Sequence, residues 1–111
     1  MKWYKFNDSK TIGQIGSESG SIIADDEYES MARITIEKDG RTAPFSITSG
    51  IYGWMVHTRF FYTFEEAQIQ MELMKSDLES IVDKIPSEND STDEDMKRVA
   101  SEITVFVEKF P

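Results

Sequence analysis

The residues best equipped for chemistry are gathered in one stretch, Gly50 to Tyr62. It holds the only histidine, one of the two tryptophans, two glycines and an arginine. His57 and Arg59 stand two positions apart, so in an extended segment they project from the same face. A guanidinium offers a rigid fork to a carboxylate or phosphate, and an imidazole titrates near neutrality. The pair suggests a small anionic ligand, with Arg59 as anchor, His57 as polar partner and Tyr52 or Trp54 as walls. An enzyme using His57 as general base is a further alternative. The competing structural reading pairs Arg59 with a carboxylate of the helices and His57 with a backbone carbonyl.

Other constellations say less. Gly13-Gln14-Ile15-Gly16 lacks the Gly-Lys-Ser/Thr of a phosphate loop and the spacing of a dinucleotide fingerprint, so it reads as a floppy connection. Asp25, Glu27 and Glu29 alternate onto one face and could share a hard cation through water, but charges guarding an edge strand explain them as well. Ser46, Ser49 and Thr58 occupy no nucleophile elbow, and residues adjacent on a strand point to opposite faces. No catalytic or metal-ligating set and no cofactor is expected. With no cysteine, disulfides and thiolate chemistry are excluded.

The formal net charge is −9. Residues 1–63 hold seven Lys/Arg against eight Asp/Glu, whereas residues 64–111 hold five against thirteen. Such acidity argues against nucleic acid and anionic membranes and could attract a basic protein partner, as in an acidic inhibitor or immunity-type protein using residues 65–108. Acidic helix faces that merely keep a protein soluble are the simpler explanation. No apolar run approaches the about 20 residues needed to span a bilayer, and no signal peptide follows Met1-Lys2. A cytoplasmic, bacterial-type protein is the expectation.

These residues need elements to position them. The periodicity predicts strands in the first half and helices in the second, a single α+β domain divided into a sheet half (1–62) and a helical hairpin half (63–111). Trp3, Tyr4 and Phe6 suit a short strand, and residues 7–21 a loop. Ser21–Tyr28 is a second strand with Ile22, Ala24, Asp26 and Tyr28 on one face. In Ala32–Lys38, Arg33, Thr35 and Glu37 are expected to face solvent. Asp39-Gly40 suits a tight hairpin, and Ala43–Thr48 a fourth strand, with Pro44 at its start. Ser49-Gly50 then links to a fifth strand over Tyr52–Phe61.

Thr63–Glu66 and Ser91–Glu94 read as capping boxes. Behind them, Ala67, Met71, Met74, Leu78, Ile81 and Val82 form one apolar stripe, and Met96, Val99, Ile103, Phe106 and Phe110 another. The expected architecture is an antiparallel meander of four to five strands, followed by two antiparallel helices packed on one face. In the fifth strand, Tyr52, Trp54, Val56, Thr58, Phe60 and Tyr62 share one face, while Met55, His57, Arg59 and Phe61 share the other. Both are largely apolar, and one helical layer covers only one of them. The surplus favours a non-catalytic binding or interaction module, with a homodimer interface or a ligand cleft on the uncovered face.

Overall fold

The computed structural model describes residues 3–87 and 91–111. Five strands form one antiparallel sheet in sequence order: β1 (Trp3–Lys5), β2 (Ser21–Tyr28), β3 (Ala32–Lys38), β4 (Phe45–Ile51) and β5 (Met55–Phe61). Two helices follow, α1 (Phe64–Val82) and α2 (Asp93–Lys109), and pack on one face, giving the expected α+β fold. The β-branched runs of β3 and β4 suit a pleated surface that must be packed tightly on one side.

Ala32, Ile34, Ile36, Ile47, Ile51 and Phe61 turn from the sheet toward the helices, where Ala67, Met71, Met74, Leu78 and Ile81 of α1 meet them. Each large apolar side chain buried there contributes roughly 1.5–3 kcal/mol. α2 adds Val99 and Phe106, with Phe110 just beyond its end. The pairs Lys84–Glu102 (2.6 Å) and Lys109–Asp77 (2.9 Å) join the helices in reversed order, so they run antiparallel. At the opposite edge α1 is tied to β1 and β2. Trp3 Nε1 donates to Glu79 (2.7 Å), the Tyr28 hydroxyl donates to Asp83 (2.7 Å), and the buried Lys75 ammonium meets Asp26 at 2.6 Å.

Several boundaries differ from the sequence expectation, each for a local reason. The β3–β4 connection spans six residues, 39–44, rather than a two-residue hairpin. Asp39 has φ 57°, but Gly40 keeps an ordinary φ, and the Arg41 amide bonds the Glu18 carbonyl (3.0 Å), drawing the connection toward an earlier segment. β4 extends through Ser49 and Gly50. Tyr52–Trp54 is a turn instead of the start of β5: Gly53 has φ 81°, which glycine adopts without strain, and the Trp54 amide bonds the Ile51 carbonyl at 2.9 Å. A bulge lies between Ile22 and Ala24, so Ile22 pairs with Glu37 and shares its face rather than that of Ala24, Asp26 and Tyr28.

Thr63 accepts from the Glu66 amide. The second capping box sits one residue later than expected, between Thr92 and Asp95. Residues 88–90 of the inter-helix connection lie outside the described residues. Among the described residues no helix is long and apolar enough to cross a membrane.

Candidate functional site

Four residues stood out in the sequence as a possible ligand site, and the sheet divides them. His57 and Arg59 pair with Ser49 and Ile47 and share the helix-covered face. His57 Nε2 donates to the Phe110 carbonyl, and its ring meets the Phe106 ring edge-on with centroids 6.5 Å apart. Arg59 Nη1 donates to the Gln70 amide oxygen (2.9 Å) and Nε to the Pro111 carbonyl (3.1 Å). Burial holds its guanidinium below the ordinary arginine pKa. Both side chains therefore fasten α1 and the segment after α2 to β5, and Arg59 does so through Gln70 and Pro111 rather than through an acidic side chain of the helices. Tyr52 and Trp54 lie in the β4–β5 turn and line a cleft that His57 and Arg59 do not reach, Trp54 also packing against the core. The four do not line one pocket.

The helix-free face is not bare. Residues 6–20 cross it as a strap that begins with a left-handed turn at Asn7, Asp8 and Ser9. The strap is tied to β2 by the Gly13 amide to the Ile22 carbonyl (2.8 Å) and the Ile22 amide to the Gln14 carbonyl (2.9 Å), so it is not a free connection. Beneath it, Asp25 is 1 % exposed and saturated: Arg33 grips it with two bonds of 2.8 and 2.6 Å, Thr35 donates at 3.1 Å and Thr11 of the strap at 2.8 Å. Those bonds hold the Arg33 guanidinium above its ordinary pKa, and its central carbon stacks 3.8 Å over the Phe6 ring.

Glu37 is 2 % exposed and accepts from the amides of Glu18 (3.1 Å) and Gly20 (3.0 Å). Gly16 is there because a Cβ would lie 2.4 Å from the Glu37 carboxyl carbon. The expectation that Arg33, Thr35 and Glu37 face open water is thus corrected: the strap covers or narrows access to all three. The acidic run of β2 is divided as well. Asp25 faces the strap, Asp26 faces α1, and Glu29 sits in the β2–β3 turn with φ 53°. Among the described residues no three acidic or histidine side chains are placed to hold a metal.

Between the strap and the β4–β5 turn the face sinks into a cleft of about 700 Å³. Its floor is Thr35, Thr48 and Gly50; its sides are Ile22, Tyr52, Trp54 and Val56; Arg33 and Glu37 reach it from β3. The trough exists because β4 presents only small side chains on this face, Ser46, Thr48 and Gly50. A Cβ on Gly50 would approach the Met55 carbonyl to 3.3 Å. The Tyr52 hydroxyl donates to Glu27 (2.6 Å), and desolvation followed by that bond raises its pKa.

Sequence reasoning missed Arg33, Glu37 and Thr48, whereas Gly50, Tyr52 and Trp54 fall within the stretch it singled out. The signal available was small residues alternating along β4 opposite long charged ones on the neighbouring strand. The one histidine lies on the other face and cysteine is absent from the chain, so the polar groups lining the cleft are hydroxyls, the Arg33 guanidinium and the Glu37 carboxylate. Comparison with protein families, curated proteins and solved structures found no match to this chain.

Proposed function

We propose that the protein is a non-catalytic binding module whose site is the cleft on the helix-free face. The observation that carries this is the cleft itself: about 700 Å³, walled by Tyr52, Trp54, Ile22 and Val56 over a polar floor. Mostly apolar concavities of this size with a few placed polar groups are the usual form of ligand sites. The small-anion reading centred on Arg59 has less support, because that guanidinium is committed to Gln70 and Pro111 under the helices. The test is a peptide and metabolite screen read by backbone amide shifts. Ligands should move Gly50 and Tyr52–Met55; a screen in which every perturbation falls elsewhere overturns the assignment.

A second reading, self-association, is favoured by the β5 edge. β5 is the last strand of the sheet and carries no acidic residue, while Val56 is 78 % and Tyr62 84 % exposed beside the half-exposed Phe60. Unguarded edges invite pairing, and antiparallel pairing of β5 with a second copy would be two-fold symmetric. Light scattering at millimolar protein should give twice the chain mass, and Val56→Lys should return it to the monomer. A native chain that stays monomeric ends this reading.

A further inference from the structure

We infer that the cleft receives a cation on an apolar stem, the side chain of a lysine or arginine carried by a basic polypeptide. The inference rests on the cleft being the binding site and names what it binds.

Charge decides among occupants. On the helix-free face the strands present Asp25, Glu27 and Glu37 against Arg33 alone. Arg33 is neutralised by its two bonds to Asp25. Among the described residues no Lys or Arg forms an ion pair with Glu27 or Glu37. Glu37 lines the cleft, almost wholly out of water, and is held by backbone amides that carry no compensating full charge. Three carboxylates against one guanidinium leave the strands of this face net negative, and one of those carboxylates, Glu37, is poorly screened by solvent.

An anion would meet that field unfavourably, and so would a second copy of the same face, since like charges brought together across an interface oppose association. A cation is drawn in. The walls suit its shape: aromatic rings attract ammonium and guanidinium groups, and the aliphatic stem of lysine or arginine lies well along Ile22 and Val56. The rim points to a polypeptide rather than a free amine. Tyr52 is 45 % exposed and Val56 78 %, apolar surface that a small amine would leave uncovered. The whole chain, at −9, favours the approach of a basic partner.

The test uses acetyl-Ala-Ala-Lys-Ala-Ala-amide, its norleucine and glutamate counterparts, and n-butylamine. Trp54 fluorescence and amide shifts are the readouts, and Trp54→Phe serves as control because it leaves Trp3 as the only indole. The lysine peptide should bind about tenfold more tightly than the norleucine peptide, and the glutamate peptide more weakly than either. Glu37→Gln should remove most of that preference. Because Glu37 also holds the strap, Glu27→Gln provides a second test that does not touch it, and it should lower the preference severalfold. Equal or tighter binding of norleucine overturns the cation while leaving the cleft as a site. Butylamine binding as tightly as the lysine peptide overturns the polypeptide source. If no probe moves cleft residues, the cleft itself is not the site.

Discussion

The two faces of the sheet are closed by different means. The face toward α1 and α2 is sealed by interlocking apolar side chains, with a few polar groups paired inside it. The opposite face is closed over only part of its area, by a strap whose anchors are polar: Thr11 on Asp25, and two amides on Glu37. Apolar packing tolerates little change in volume, whereas a hydrogen-bonded strap over a trough tolerates change wherever its anchors are spared. Apolar packing is concentrated on one face, and an open cleft is left on the other.

Substitutions can break this contrast or sharpen it. Leu78→Ala, at a fully buried position of α1, should cost about 3 kcal/mol in chemical denaturation. Val56→Ala on the open face should change stability by less than about 0.5 kcal/mol. Comparable losses at the two sites would show that the faces are not different in kind.

Lys75→Ala should cost a similar amount, about 3 kcal/mol, because it leaves Asp26 buried with only the exposed Lys5 ammonium at 3.5 Å. The double variant Lys75→Met, Asp26→Leu should recover to within about 1 kcal/mol of the native chain, as apolar replacement of a buried pair often does. A double variant as unstable as the single one would mean that the pair is needed for more than mutual compensation.

Gly20→Ala probes the strap, since its Cβ would lie 2.7 Å from the Lys38 carbonyl. Roughly 1–3 kcal/mol of destabilisation is expected, together with amide shifts confined to residues 11–22 and 37–41.

Tyr28 supplies a pH test on the sealed face. Its hydrogen bond to Asp83, followed by burial, pushes its pKa from 10.0 up to about 12. Between those values the folded chain keeps a proton that the unfolded chain has released. The contribution is therefore complete below pH 10 and disappears as pH rises through 12. Denaturation curves should show an alkaline loss that Tyr28→Phe largely removes.

The smallest effect has the opposite sign. Ser46 Oγ is buried without a hydrogen-bond partner among the described residues, so Ser46→Ala should gain up to about 1 kcal/mol in thermal unfolding.

Much of the fold was legible in the sequence because periodicity is a local property. The 3.6-residue stripe from Ala67 to Val82 and the alternation of Ala32, Ile34 and Ile36 gave element types that the structure contains. The alternation of β5 also grouped His57 with Arg59 correctly. It could not say which face the helices would choose, since both were apolar; that was decided by Ile47, Ile51 and Phe61 meeting the stripe of α1. The bulge at Ile22 and Ala24 was equally hidden, because one unpaired residue leaves the composition of β2 unchanged while moving Ile22 to the other side. The strap was read as a floppy connection because its anchors, Asp25 and Glu37, are distant in sequence, and polar residues in a loop look the same whether or not they find such partners.

The in-order meander also has a consequence for the sequence of assembly. Each strand pairs with the one made just before it, so the sheet can zip together hairpin by hairpin through short closures. Helix α1 instead reaches back 55 residues to Tyr28 and 76 to Trp3. Loop-closure entropy makes such joins late ones. Pulse-labelled hydrogen exchange should therefore protect β3 and β4 before the Trp3 edge, and a chain emerging during synthesis would hold its sheet with one apolar face still waiting for its cover.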